Sequence, residues 1–273
     1  LKANPEALDG WAMLAMIEIE RGDKAGAAHN ETRAEEHYRV ADGYIAHLSQ
    51  ATGQDAYFAA IIRGRLAQSA ALKAEAGAVS SATLPPAARE RWKEARDHYH
   101  RAYTLRPRIR SRLLESILHI DRRLGDKSAA ETDAFAILRD EPANPFANFV
   151  IGTQRMEEAH FTEACRYFGQ AYNALGQASG LELLNNYAET LARSDNPDDR
   201  AKAVRIAEDA SLRLAPANYV LRATYALTLV RAGKLEEARE ALQQSRDIAE
   251  KLKLTIDPRI GFVDAWIALG DGK

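Results

Sequence analysis

The sequence predicts an all-α protein built as a row of stacked helix pairs, and three observations carry that expectation. Small residues recur at Ala95, Ala130, Ala164, Ala203 and Ala238, with separations of 35, 34, 39 and 35 residues, and Tyr99, Phe168 and Leu242 stand four places after three of them. Pro107 and Pro142 follow Ala95 and Ala130 by twelve residues, and Pro216 follows Ala203 by thirteen. Each proline ends a helical stretch, because it lacks the N–H and clashes with the preceding turn. Third, 46% hydrophobic and 28% charged residues over 273 positions describe an ordinary chain able to bury a core.

The elements follow in chain order. From Lys24 to Gln50 no proline intervenes, and Ala27, Ala34, Ala41 and Leu48 recur every seven residues with Tyr38 and Ile45 between them. This spacing predicts one long helix with a coiled-coil-like seam. A second apolar stripe runs from Asp55 to Ala76 through Phe58, Ile61, Ile62, Leu66 and Leu72, and the segment 79–86, VSSATLPP, separates it from a helix ERWKEARDHYHRAYTL. Helix pairs are then expected at 111–141, 145–175, 181–215, with an insertion at SDNPDDR, and 219–250. Asp257 and Pro258 suit the cap and first turn of a terminal helix.

A period near 34 residues with the skeleton W-x2-L-G-x2-Y, A-x3-F and P is the tetratricopeptide signature, and the chain resembles that family in several copies. The first reads Trp11, Leu14, Ala15, a turn at Gly22, and Ala27; the next Leu114, Ile117, Leu118, Gly125, Ala130 and Pro142. The third reads Asn148, Ile151, Gly152, Phe161, Ala164, Phe168 and Ala171. LLNNYAETLA with AVRIAEDASLRLAP forms another, and Tyr225, Ala226, Leu229, Gly233, Leu235, Ala238 and Leu242 the last. Gly152, Ala164 and Ala171 are small because helices cross closely there, with Ile151, Phe161 and Phe168 filling the space around them. Around Trp92, Ala95, Tyr99, Ala102 and Pro107 the resemblance covers only the second helix of a repeat.

The resemblance implies a single right-handed superhelical solenoid over 1–273: irregular repeats with long helices and an inserted loop in 1–107, regular repeats in 111–252, and a capping helix in 257–270. It further implies a concave surface lined by the first helix of each pair, where peptides or proteins bind without catalysis. The family's groove positions fall on Arg112, Glu115, His119 and Arg122, on Phe146, Phe149, Thr153 and Met156, and on Glu182, Asn185 and Glu189. Phe146 and Phe149 are candidates for an exposed aromatic anchor, with core packing the expected fate of one of the two. The carboxylate clamp of chaperone-binding members is absent, since Glu115 and His119, or Phe149 and Thr153, replace its Lys and Asn, and only Asn186 matches.

Other chemistry finds little support. His98 and His100, or His29 and His37, lack the carboxylate or cysteine partners of a metal site, and Cys165 reads as a small core residue. No phosphate-binding glycine loop or nucleophile motif occurs, so neither an enzyme nor a cofactor is expected. In LRPRIRSR, 105–112, Arg108, Arg110 and Arg112 fall at the start of a helix, where they are expected to pair with Asp140 and Glu141 of the next loop, the alternative being an acidic partner or nucleic acid. The net charge of −2 argues against nucleic acid, including an RNA-binding helical array. No apolar run reaches the ~20 residues of a membrane helix. The first residue is not Met, so it reads as a processing site or the boundary of a longer protein, and a bacterial source is expected. The functional expectation is a soluble cytoplasmic or periplasmic adaptor for a protein or peptide; the alternative is a recruiting module of a larger protein whose enzymatic part lies elsewhere.

Overall fold

The computed structural model describes residues 8–48, 53–76, 84–105, 111–254 and 259–270. The chain divides into two compact units, Leu1–Glu141 and Pro142–Lys273, and among the described residues every regular element is helical. Unit one holds α1 (Leu8–Ala27), α2 (Glu31–Ala46), α3 (Gly53–Ala76), α4 (Pro86–Leu105), α5 (Ser111–Leu124) and α6 (Lys127–Asp140). Unit two holds α7 (Pro145–Glu157), α8 (Phe161–Leu175), α9 (Leu181–Ala192), α10 (Pro197–Glu208), α11 (Tyr219–Arg231), α12 (Leu235–Lys251) and α13 (Arg259–Gly270). Consecutive helices pack as pairs, α1 with α2 through α11 with α12; α3 also meets α1, and α9 meets α7 and α11. The pairs from α5 to α12 match the expected spans. Asp257, Pro258, Pro107, the arginines at 106, 108 and 110, and residues 79–83 of the inserted loop lie outside the described residues, so the capping and cross-loop pairing expected there do.

A repeated size complementarity holds the pairs together. A Cβ built on Gly152 would lie 2.7 Å from the Phe168 ring, one on Gly22 2.5 Å from Tyr38, and one on Gly64 2.8 Å from Tyr99. The backbone of the first helix therefore lies directly against an aromatic ring of the second. In α5–α6 the sizes are exchanged, with buried Leu118 on the first helix and buried Ala134 sixteen residues on.

The first repeat departs from the sequence expectation. Gly22 is not a turn residue but lies within α1, and the predicted long helix breaks between α1 and α2. His29 adopts φ 57°, and the Asn30 side chain accepts from Arg33 N at 3.2 Å as the N-cap of α2. Histidine tolerates the left-handed region better than most residues, and asparagine is among the best N-caps, so these two positions outweigh the uninterrupted periodicity. The seam survives in Ala34, Ala41, Ile45 and Leu48, all buried, whereas Ala27 is exposed at the end of α1. Gly22 and Tyr38 thus stand sixteen residues apart, like Gly152 and Phe168, and set this repeat's register seven residues later than Trp11, Leu14 and Ala15 suggest.

Unit two contains a π-helical turn, Asp209–Leu214, at the end of α10. Ala215 N donates to Ala210 O at 3.0 Å, the spacing of a π turn. The next such bond would need an N–H at Pro216, which has none. Arg222 supplies the donor instead: its Nη2 reaches Ser211 O at 3.2 Å and its Nη1 reaches Gln244 Oε1 at 3.1 Å, from a side chain only 7% exposed. A buried backbone carbonyl orphaned by proline thus accounts for a charged residue where the W-x2-L-G skeleton has its tryptophan.

In unit one the interface of α4, α5 and α6 encloses a carboxylate pair. Arg96 of α4 donates to Asp121 Oδ1 of α5 at 3.1 Å and to Asp126 Oδ2 at 3.2 Å, while Asp126 also caps α6 through Ala129 N. The Asp121 side chain is 0% exposed and its Oδ2 is left without a donor among the described residues, while the carboxyl of Asp133 on α6 stands within hydrogen-bond reach of Asp121 and can donate only when protonated. Burial, then the charge of Asp121, pushes the Asp133 carboxyl up to about 7, and burial raises Asp121 against the opposing pull of Arg96. Between about pH 4 and pH 7 the folded chain holds a proton that the unfolded chain has released, so stability falls as pH rises through that window. Allowing for the partial solvent exposure of Asp133, the loss should be about 1–2 kcal/mol. Urea unfolding at pH 5 and pH 8 should show it, and Asp133→Asn, whose amide donates at every pH, should flatten the dependence; parallel profiles for the two proteins would disprove the shared proton.

Candidate partner-binding face

The first helices of the pairs carry the residues assigned to a groove, and they form two separate sets, one in each unit. In unit one, Arg112, Glu115, His119 and Arg122 follow at helical spacing along α5. Arg112 and His119 are exposed, and Glu115 and Arg122 half-buried. The His119 ring lies edge-on to Trp92 of α4, centroids 6.3 Å apart, and desolvation there with Arg123 and Arg122 nearby pushes its pKa down. Trp92 Nε1 donates to Glu75 Oε1 at 2.5 Å, and Arg123 Nη1 lies 3.4 Å from Glu75 Oε2. Polar groups of α3, α4 and α5 therefore converge beside His119, with Trp92 as the buried wall.

In unit two, α7 begins with Asn144 as N-cap, accepting from Ala147 N at 3.0 Å, and Pro145 at its first turn. This fixes the phase of Phe146, Phe149, Thr153 and Met156. Phe146 and Thr153 are half-buried, the Thr153 hydroxyl donates to Phe149 O at 2.9 Å, and Met156 packs against the core. Of the two phenylalanines, Phe149 is the one that packs inside. It is 8% exposed and its ring centroid lies 6.0 Å from that of Phe168, so it belongs to the core and not to an open aromatic anchor. The reason is the packing of α9 against α7, whose Leu183 and Leu184 share Phe149's core cluster.

On α9, Glu182 is exposed, whereas Asn185 and Glu189 are 9% and 6% exposed. Asn185 Oδ1 accepts from Thr224 Oγ1 of α11 at 2.7 Å, and Glu189 Oε1 from Arg193 Nη2 at 2.9 Å. The Arg193 guanidinium also lies 4.5 Å over the Phe161 ring, and Arg231 Nε donates to Ala192 O at 2.8 Å. Thr224, Arg193 and Arg231 were missed by the sequence reading. Arg193 could have been found, since Glu189 and Arg193 form an i,i+4 pair; Thr224 lies in the following repeat with nothing local to mark it.

No family model matches the chain, and no curated protein matches it in sequence. Similarity lies in the arrangement of helices. A tetratricopeptide repeat protein from Parabacteroides merdae superposes with a TM-score of 0.56 at 15% identity, over 95% of this chain and 87% of that one. This is the tetratricopeptide fold. Yeast Tom70 superposes with a TM-score of 0.50 at 17% identity, over 98% of this chain and 57% of its own length. In the tetratricopeptide fold Gly152, Ala164, Phe168 and Ala171 are packing positions, and all four are buried here.

Cys165 is half-buried against the unit-two core, and burial pushes its thiol up. A raised thiol pKa leaves little thiolate at neutral pH. Among the described residues no group of three or more His, Cys, Asp or Glu is placed to hold a metal, and no helix is long and apolar enough to cross a membrane.

Proposed function

We propose that the chain is a non-catalytic interaction module that holds a peptide segment or partner protein against the first helices of its pairs. In unit two this face comprises α7, α9 and α11, with Phe146, Thr153 and Met156 beside Glu182, Asn185 and Glu189; the α5 set of Arg112, Glu115, His119 and Arg122 forms a separate contact stretch. The observation that carries the reading is the polar lining of α9. Asn185 and Glu189 are held by Thr224 and Arg193 on a helix whose other face supplies the core. Oriented, nearly buried polar groups beside exposed Glu182 and half-buried Phe146 and Thr153 suit recognition of an extended chain, where a few anchored contacts give most of the affinity.

The test is a double variant, Thr153→Arg with Glu182→Lys, at partly exposed positions that leave the core intact. A partner cross-linked and identified from the native source should bind the variant about tenfold more weakly or worse. The melting temperature should not change. Equal affinity of wild type and variant, measured by titration with the purified partner, would reject the face.

A further inference from the structure

Within unit one, α6 packs on α5 alone among the described helices. Its buried apolar residues are Ala130, Ala134 and Ile137, and Phe135 on the same helix stays 42% exposed. Two alanines and one isoleucine bury little apolar surface for a helix of 14 residues, so polar contacts decide how firmly α6 is held. Those contacts converge on the N-terminal half of the helix. Asp126 caps it through Ala129 N at 3.2 Å, and Arg96 of α4 reaches Asp126 Oδ2 at 3.2 Å and Asp121 Oδ1 of α5 at 3.1 Å. Asp133 of α6 stands within hydrogen-bond reach of Asp121.

The charged groups that face one another there are Arg96 from α4, Asp121 from α5, Asp126 from the turn and Asp133 from α6, three carboxyl groups against one guanidinium. The Asp121 side chain is 0% exposed, and its Oδ2 has no donor among the described residues. A proton on Asp133 supplies that donor. Without it two carboxylates stand face to face, with the guanidinium already engaged by Asp121 Oδ1 and Asp126. Asp133 is half-buried at the edge of the cluster, so the repulsion is relieved by moving α6 outward and carrying Asp133 into water.

We propose that Asp121 and Asp133 form a proton-operated latch: with the proton in place α6 is closed on α5, and when the proton passes to solvent α6 swings off while α3 and α4 stay folded. Burial and the charge of Asp121 push the Asp133 carboxyl up to about 7, so the latch is closed below neutral pH and released above it. Release leaves α5 with α4 as its only packed neighbour, and the stretch of Arg112, Glu115, His119 and Arg122 loses the rigid backing that preorganises a contact. That consequence rests on the interaction-module reading, whereas the latch itself does not.

The experiment is native-state hydrogen exchange of the full chain, read by mass spectrometry at pH 5 and pH 8 with and without low urea, with labelling times scaled for the intrinsic exchange rate at each pH. Peptides from α6 should exchange through an opening that urea barely changes, separate from the urea-dependent exchange of α3 and α4. Their protection should fall about tenfold or more between pH 5 and pH 8. Asp133→Asn, whose amide donates to Asp121 at both pH values, should keep the protection of α6 within about twofold across the same change. The Thr153→Arg, Glu182→Lys variant should show wild-type exchange in α6, so loss of the first-helix face and loss of the latch are read separately. Exchange of α6 only together with α3 and α4, at the urea sensitivity of complete unfolding, would overturn the latch. So would a separate opening of α6 with equal protection at both pH values, or an Asp133→Asn chain that responds to pH like wild type.

Discussion

Gly152→Leu should unfold unit two or leave it partly ordered at room temperature. The Cβ alone would stand 2.7 Å from two atoms of the Phe168 ring, closer than side-chain carbons approach, and leucine adds three further carbons. Phe168 cannot retreat, because it is fully buried in a cluster with Ala164, Ala171, Leu183 and Tyr187. Overpacking typically costs ~1–3 kcal/mol, and a backbone-to-ring contact with no slack belongs at or above the top of that range. The milder Gly152→Ala makes the sign diagnostic. In an exposed helix that change stabilises by ~1 kcal/mol through propensity alone. Here it should destabilise, and Phe168→Leu in the same chain should recover part of the loss by opening the crossing. Urea unfolding of the three variants decides the matter, and a Gly152→Ala protein as stable as wild type would show that the crossing has room.

Glycine is also where the sequence misleads. Gly22 and Gly152 are the same packing device, each sixteen residues before its aromatic partner, yet Gly22 sits in a run whose seven-residue repeat imitates a single helix. A glycine serves both as turn punctuation and as a place where another helix lies against the backbone, and its identity alone does not separate the two uses. The partner does: Tyr38 stands where Phe168 stands. The true turn was marked by His29 and Asn30, residues that tolerate left-handed backbone and cap a helix, and which no periodicity count weighs. The regular pairs from α5 to α12 were legible because small residue, large residue and helix stop all recur together there, so each reading supports the next.

For the proposed face, the placement of residues on the first helices was legible and their exposure was not. Transfer of groove positions by register locates a residue on its own helix, and α5, α7 and α9 carry the predicted residues at the predicted spacing. Whether a residue at such a position is open depends on how closely the neighbouring first helix packs, which is a property of residues some 35 places away in the chain. Asn185 is covered because Thr224 of the next repeat reaches it, and Arg222 lies inside because Pro216 leaves Ser211 O without a donor. The cleft between α10 and the turn joining α11 to α12 is a stronger case. Arg200 and Arg205 on α10 meet Arg231 and Lys234 only through folding, and the net charge of −2 gives no sign of them.

Phe149→Ala should cost ~3–5 kcal/mol of stability through the cavity it leaves, in line with truncation of a buried aromatic side chain. For a chain of this size each kcal/mol lowers the melting temperature by ~2–4 °C, so the drop should be obvious in a thermal scan. The competing account makes Phe149 a contact residue, and then truncation would weaken a partner by ~1–3 kcal/mol with little change in melting. Burial favours the first: Phe149 is 8% exposed, its ring sits 6.0 Å from Phe168, and α9 closes over it with Leu183 and Leu184 in the same cluster. Phe146, half-buried on the same helix, provides the control, since its truncation should lower melting less than that of Phe149. If Phe149→Ala melts with wild type while partner binding collapses, the ring faces the ligand in solution and the core assignment is wrong. If instead both melting and binding fall together and Phe146→Ala loses binding alone, the contact face begins at Phe146 and runs outside Phe149 toward Thr153 and Glu182.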